Sequence, residues 1–567
     1  MNRRRQKVRR AEAPRLRRRL ALIAGLLAVS YTGLVARAIQ LQAIDAEWLA
    51  DRAHRQHRST VHLEGLRGSI FDRHGEPLAL SSEVASVAAS PRKIDDPHAT
   101  ASRLASALGL KTSGLSRRLT TTRSFVWIKR WVTPDEAERI HRLDLTGVRV
   151  LLERRRLYPN RQLGAPYVGF AGRDEVGLSG LELAFDGALS GAPRALPGLR
   201  DARGRRLVAW DDAPATRGVH LTLSLDSRLQ HASERALDRA LERTGAIHGT
   251  LVVVDPRTGD LLTVAERPAF DPNRFWEEPT HRFRARAFTD PFEPGSTLKP
   301  FLFALAFEAG VIKASDPIDC EQGEWDVADR VIHDWKPHGI LEASDVLVHS
   351  SNIGAAKIGA KLGAERLVEG LRRFGFGQRT GAGFPGESSG VVHDLRSTQT
   401  VELSTLSFGQ GMSTTPIQLA MAGAILGSGG HRVSPRAALH IEGPGGRFEW
   451  PSGRGERVIS RRTADRVLAL LQGAVERGTG RSARVEGIEV AGKTGTAQKA
   501  VRGGYSKERF TASFLGFVPA HRPRLVIVVV LDEPRHPHTG GGAAAPVFRE
   551  IATYATRHLG IAAGGAE

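Results

Sequence analysis

The chain reads as an α+β protein in which an antiparallel sheet is covered by helices, preceded by a mixed segment and a membrane-crossing helix. Three observations predict this class. A strand pair, Thr250 to Val254 and Leu261 to Val264, is joined by the turn Asp255-Pro256-Arg257-Thr258-Gly259 and opens the larger half. Helical periodicity fills the middle, and two apolar strand runs, Phe514 to Val518 and Leu525 to Leu531, close it. Near the N-terminus, Leu20 to Ala36 runs through Leu, Ala, Ile, Val and Gly with only Ser30, Tyr31 and Thr32 as polar relief.

That apolar run is close to the minimum that spans a hydrocarbon core, and Ala38-Ile39 extend it past a snorkelling Arg37. Arg3, Arg4, Arg5, Lys7, Arg9, Arg10, Arg15 and Arg17 to Arg19 precede it. By the positive-inside rule, residues 1–19 form a cytoplasmic tail, 20–42 the span, and everything later lies outside. Ala36-Arg37-Ala38 resembles a signal-peptidase site, but the apolar run is long for a signal and an arginine inside the site is unfavourable. The reading is therefore an uncleaved anchor. Gly25, Ala28, Ser30, Gly33 and Ala36 give it small side chains that permit close helix–helix packing.

Residues 43–215 read as mixed structure. A short strand pattern runs into a turn across Leu66 to Ala79, Ala99 to Leu108 is helical, and Pro134 to Leu143 has apolar periodicity. Gly177 to Gly191 is rich in turn glycines, and Arg194 to Ala215, rich in Arg, Pro, Gly and Ala, reads as a linker. Residues 216–567 form the second body. His220 to Leu225 alternates as a strand, Ser227 to Leu241 is an amphipathic helix, and Phe301 to Ala309 is an apolar one. Gly540 to Ala545 reads as a local loop.

With 567 residues, 41% hydrophobic and 25% charged, the chain is globular and large enough for several domains. Its net charge of +20 raises a nucleic-acid partner, but about half of the excess lies before residue 20. The rest is scattered, with no zinc-finger or RNA-binding signature, so no nucleic acid is expected. The one cysteine, Cys320, excludes an intrachain disulfide and a cysteine-based metal site. It reads as a small buried apolar residue.

Three strings carry chemistry: Ser296-Thr297-Leu298-Lys299, Ser350-Ser351-Asn352 and Lys493-Thr494-Gly495-Thr496. If a helix starts after Pro294-Gly295, Ser296 and Lys299 share a face and can hydrogen-bond. A serine hydroxyl needs a base beside it, and a lysine serves once burial depresses its pKa. The second string adds a hydroxyl and an amide, and the third a cation and hydroxyls able to hold a carboxylate. Each alone has a bland reading: a capped helix with an exposed lysine, a turn, and a turn closing a strand. Their order and separation, about 54 and then about 143 residues, lift the set.

Gly487 to Thr494 also matches the phosphate-loop pattern G-x-x-x-x-G-K-[ST]. A phosphate cradle needs a flexible loop with a helix opening at the lysine. Ile488 to Ala491 alternate like a strand instead, and Thr494, Gly495 and Thr496 are poor for a first helical turn. The acyl-serine reading is preferred.

On these residues the chain resembles the class B penicillin-binding proteins, the monofunctional peptidoglycan D,D-transpeptidases. Arg67-Gly68-Ser69-Ile70-Phe71-Asp72-Arg73-His74-Gly75 looks like the family's R-G-x-I-x-D-R-x-G pedestal motif, and Glu293 to Pro300 like its nucleophile segment. Ser407-Phe408-Gly409-Gln410-Gly411, Thr415 to Ala420 and Ala491 to Gln498 are further close matches. Within the class, Ser350-Ser351-Asn352-Ile353-Gly354 and Thr494 are most similar to the septal enzymes of the FtsI type. The loop at His536 to Gly542 departs from the family by being richer in glycine than the usual Tyr-containing version.

The resemblance implies a transmembrane helix, an elongated pedestal over 43–215 and a serine β-lactamase-like transpeptidase domain over 216–567. It implies Ser296 as nucleophile, Lys299 as base, Ser350 as proton relay and Asn352 as substrate-orienting amide. Lys493, Thr494 and Thr496 would bind the terminal carboxylate of the stem peptide or of a β-lactam, with the backbone N–H groups of Ser296 and Thr496 holding the oxyanion beside Gly495. No metal or cofactor is needed. Implied partners are stem peptides, lipid-linked nascent glycan, β-lactams, an FtsW-type glycan polymerase with other divisome proteins, and the inner membrane, with the catalytic domain in the periplasm. Alternatives are an elongation-type class B enzyme, a membrane-anchored serine β-lactamase, a β-lactam sensor, and a divisome component in which recruitment outweighs catalysis.

Overall fold

The computed structural model describes residues 2–63, 65–191, 194–200, 206–208, 217–328, 330–395, 400–501 and 504–561. These form two compact units, one of residues 1–65 and 192–216, the other of residues 66–191 and 217–567.

In the smaller unit the Asn2–Ile39 helix passes through a π turn, Gln40–Ile44, into the Ala46–His57 helix. From Arg17 to Ile44 it is long and apolar enough to cross a membrane. Its large apolar side chains stand open: Leu22, Leu26, Val29 and Leu34 are each at least 70% exposed. Such a surface suits hydrocarbon rather than water. Arg58–Leu63 pairs antiparallel with Arg194–Arg200, which pairs with Arg206–Val208. The stretch expected as a linker therefore supplies two strands, because backbone pairing with residues 58–63 overrides a turn-rich composition; its other residues lie outside the described ones.

The larger unit contains two main sheets. In the first, Ile70–Phe71 pairs parallel with His220–Leu223 and antiparallel with Pro77–Ala89, which carries Val126–Lys129 and Val148–Leu157. This explains the motif around residue 67. A Cβ on Gly68 would lie 1.8 Å from the Val219 carbonyl oxygen, so only glycine permits that approach. Arg67 is buried and donates to Glu182 Oε2 through Nε (2.9 Å) and Nη2 (2.6 Å). Asp72 is fully buried and accepts from the His74 and Glu76 N–H groups (2.8 Å each) and from the Ser227 hydroxyl (2.6 Å).

The second sheet has the order Leu261–Arg267, His248–Val254, Leu525–Asp532, Gly504–Val518, Ala491–Val501, antiparallel throughout. Strand periodicity sorts its side chains. Leu251, Val253, Ile527 and Val529 pack with the Ser227–Thr244 and Gly540–His558 helices, whereas Val252, Val254, Val526 and Val528 join the core containing the Pro416–Gly427 and Lys299–Glu308 helices. Burial on both faces explains the continuous apolar runs in these strands.

The loop expected at Gly540 to Ala545 is corrected: these residues begin the 19-residue Gly540–His558 helix. Thr539 caps it, accepting from Gly542 N–H at 3.2 Å. A Cβ on Gly540 would lie 2.3 Å from the Gly495 carbonyl oxygen and 2.5 Å from that of Ser513. The glycines are thus contact residues rather than loop residues. Cys320 is fully buried, as its composition reading expects.

Candidate active site

Ser296 stands in the 3-10 turn Gly295–Leu298, which passes directly into the Lys299–Glu308 helix. Gly295 N–H donates to the Gly409 carbonyl (3.0 Å) and Phe292 N–H to that of Thr414 (2.9 Å). Gly409 has φ +84°, and a Cβ there would lie 2.1 Å from the Gly295 carbonyl oxygen. The Gly409-Gln410-Gly411 segment is therefore the seat on which the Ser296 turn rests.

Ser350 ends the Ala343–His349 helix in the left-handed region (φ 65°, ψ 35°), an uncommon conformation for a non-glycine residue, found where surroundings impose it. The next helix, Asn352–Leu362, is capped by Ser351, whose hydroxyl accepts from Gly354 N–H at 2.9 Å. Asp334 completes the end: Oδ2 accepts from the Ser351 hydroxyl (2.6 Å), and Oδ1 from the N–H groups of Asn352 (2.5 Å) and Ile353 (3.1 Å). Asn352 Nδ2 donates to the His333 carbonyl at 3.0 Å.

Ala491–Val501 is the edge strand beside the Ser296 turn, and a Cβ on Gly495 would lie 2.8 Å from the Pro294 carbonyl oxygen. Lys493 is fully buried and points toward Ser350, donating to its hydroxyl oxygen at 2.8 Å. No helix opens at Lys493, so the phosphate-loop reading has no structure to support it.

Five expected residues form one hydrogen-bonded cluster. The Ser350 hydroxyl donates to Ser296 Oγ (3.1 Å), and Lys299 Nζ donates to the Ser350 carbonyl (2.7 Å), Ser350 Oγ (3.3 Å) and Asn352 Oδ1 (2.8 Å). Among the described residues Ser296 and Lys299 make no direct hydrogen bond, contrary to the expectation from their spacing. Three oxygen atoms of the 350–352 segment surround the Lys299 amine, and Ser350 Oγ becomes the bridge. Thr494 and Thr496 continue the strand with their hydroxyls engaged elsewhere, Thr494 with Thr479 Oγ1 (2.7 Å) and Thr496 accepting from Gly540 N–H (3.0 Å).

Burial lowers the Lys299 pKa to about 7, with the Asp334 carboxylate opposing the shift. Burial, and then the Lys299 charge, hold Lys493 well below the ordinary lysine value. Two neighbouring amines out of water disfavour double protonation, so the site provides a neutral amine near neutral pH, one hydroxyl away from Ser296. That is the equipment for acyl transfer through serine.

Sequence reasoning missed Asp334, Thr479 and the N–H of Gly540. None belongs to a motif; the glycine run at 540–542 was the one signal available. It also missed the Tyr505 hydroxyl's bond to Glu293 Oε1 (3.0 Å), at the edge of a cavity of about 650 Å³ that includes Ala497, Lys499 and Met412.

Residues 249–553 match the penicillin binding protein transpeptidase domain, and residues 62–223 the penicillin-binding protein dimerisation domain. The chain is 34% identical over 552 residues to a probable peptidoglycan D,D-transpeptidase, PenA, of Neisseria meningitidis, covering 96% of this chain and 93% of that one. It is 32% identical to the peptidoglycan D,D-transpeptidase FtsI of Escherichia coli, covering 96% and 92%. Among solved structures it is similar to penicillin binding protein 3 of Mycobacterium tuberculosis in complex with aztreonam, with a TM-score of 0.70 and 28% identity, covering 89% of this chain and 98% of that one.

Proposed function

The chain belongs to the class B penicillin-binding proteins and is a peptidoglycan D,D-transpeptidase, and from that premise we propose that Ser296 carries the acyl group during septal wall synthesis. The observation that carries the site assignment is the convergence of Ser296 Oγ, Lys299 Nζ and Lys493 Nζ on the Ser350 hydroxyl. Ser296 Oγ attacks the carbonyl of the penultimate D-alanine of a stem peptide. Its proton passes to Ser350 Oγ as the Ser350 hydroxyl turns its own proton to neutral Lys299, and the proton then goes to the nitrogen of the departing D-alanine. An amine of a neighbouring stem attacks the acyl-serine ester, forms the cross-link amide and returns the proton to Ser296.

The oxyanion is held by the backbone N–H groups of Ser296 and Thr496, each worth about 3–4 kcal/mol in such sites. Asn352 orients the substrate amide, while Lys493, Thr494 and Thr496 receive the terminal carboxylate beside Gly495, whose missing side chain leaves the strand flush with the nucleophile turn. A β-lactam occupies the same place and leaves a stable acyl-serine. The septal assignment rests on full-length likeness to FtsI and on residues 350–354 and 494. It implies residues 1–19 in the cytoplasm, 20–42 as the span, 43–215 as pedestal and 216–567 as periplasmic transpeptidase, working with an FtsW-type polymerase that supplies lipid-linked glycan.

Labelling with fluorescent penicillin tests the chemistry: Ser296→Ala abolishes it while the thermal transition is kept, and labelling that persists at another serine refutes the assignment. Rapid loss of label from the wild type indicates a β-lactamase. A fluorescent fusion that stays on the lateral wall through division overturns the septal role.

A further inference from the structure

Outside the catalytic cleft, an aromatic and cationic cluster occupies the part of the larger unit formed by residues 130–173 and the 3-10 segment Pro272–Glu277. Trp131 is held at φ 58°, its N–H donating to Ser86 Oγ at 2.8 Å. A bulky aromatic residue in that region is an outlier that its surroundings must enforce. Its ring centroid lies 5.7 Å from that of Trp276, with the planes 44° apart. Arg155, Arg130 and Arg173 place their guanidinium carbons 4.8, 5.7 and 5.9 Å from the Trp131 ring, and Arg173 lies 5.5 Å from the Trp276 ring.

The charges are not all answered. Glu153 engages Arg130 at two positions (2.7 and 3.1 Å), and Asp174 lies 3.7 Å away. Among the described residues no carboxylate lies within salt-bridge distance of Arg155 or Arg173. Asp271 attracts Arg155, but burial outweighs it and holds that guanidinium below its ordinary pKa. Among the described residues buried Trp131 Nε1 has no hydrogen-bond partner, and Trp276 is 43% exposed.

A guanidinium stacked on an indole has its face covered and its in-plane N–H groups free, the arrangement that captures a carboxylate at two points. An exposed indole face beside it accepts the C–H face of a sugar ring. We propose that Trp131, Trp276, Arg155 and Arg173 form a docking surface for a carboxylate-bearing glycan strand, the nascent peptidoglycan on which this transpeptidase acts. The inference rests on the transpeptidase reading. The polymer extends far beyond the stem held at Ser296, and a second grip on it raises the local concentration of stems at the cleft.

The test uses full-length protein in detergent micelles and soluble, un-cross-linked peptidoglycan strands carrying pentapeptide stems. Arg173→Glu and Trp276→Ala, both at exposed positions, should each weaken strand binding about tenfold, the loss of one strong polar or stacking contact. The KM for strand cross-linking should rise by a similar factor with kcat unchanged, and the rate of fluorescent-penicillin acylation should not move. Wild-type affinity in both variants overturns the proposal. So does a loss confined to binding of anionic phospholipid vesicles, which would make the surface a membrane contact. Absence of penicillin acylation in the wild type would instead refute the transpeptidase reading itself.

Discussion

The Ser350 hydroxyl donates to the Ser296 hydroxyl across 3.1 Å, and both buried lysines reach Ser296 through it. Ser350→Ala should therefore lower the acylation rate constant by about 10²–10⁴-fold, the span for loss of a positioned proton-transfer group. Ser350→Gly separates the hydroxyl from the backbone. Glycine tolerates φ 65°, which offsets part of the cost of leaving buried Lys493 without its 2.8 Å acceptor, so Ser350→Gly should be at least as stable as Ser350→Ala while acylation stays lost, as read by thermal unfolding beside penicillin labelling. Near-wild-type acylation in either variant would show that Lys299 contacts Ser296 directly during reaction.

Acylation should depend on pH through Lys299. With its pKa lowered to about 7, the neutral base form grows as pH rises, so second-order acylation should climb across that value and then level. Asp334 opposes the lowering, and Asp334→Asn should move the midpoint to lower pH. Lys299→Arg should not restore activity, because a guanidinium stays protonated. The stability sign follows from linkage. Between about 7 and the ordinary 10.5, unfolded Lys299 binds more protons than folded Lys299, so its contribution makes stability rise with pH across that window.

Gly409→Ala should displace the nucleophile turn. The added Cβ would sit 2.1 Å from the Gly295 carbonyl oxygen at a backbone φ of +84°. A backbone clash of this kind costs about 1–3 kcal/mol. The expected result is a lower thermal midpoint together with slowed acylation. A variant that loses stability but acylates normally would show that the turn is held independently of its seat.

Arg67→Ala should be among the most destabilising changes in the larger unit. Glu182 is fully buried and accepts from Arg67, Arg156 (2.7 Å) and the Tyr158 hydroxyl (3.2 Å). Removing one partner of a buried ion pair costs about 3–5 kcal/mol. Arg67→Lys should recover little, since Arg67 also donates to Asp186 (2.6 Å) and Ser190 (2.9 Å) from its fork. Denaturant titration of the two variants compares them directly.

In the N-terminal apolar helix, among the described residues Gly25 and Gly33 have open space where a Cβ would be. Gly25→Leu with Gly33→Leu should leave insertion and penicillin acylation unchanged while weakening co-purification of the proposed FtsW-type polymerase, by blocking close helix approach. Unaltered co-purification would remove the interface from this helix.

The sequence by itself located the candidate site residues and the local elements. Ser296, Lys299, Ser350, Asn352 and Lys493 stand in short strings, and the apolar periods at 227–241, 250–254 and 525–531 announced their helix and strands, because such signals depend on residues a few positions apart. Only the tertiary structure decided that Ser350 bridges Ser296 and both lysines, that Asp334 secures the 350–352 segment, and that Gly540 opens a helix whose N–H holds Thr496. Those relationships join residues distant in the chain. They arise from burial, which depresses the lysine pKa values, and from close backbone packing that no local pattern encodes at Gly409 and Gly540, where an added Cβ would come within 3 Å of a carbonyl oxygen.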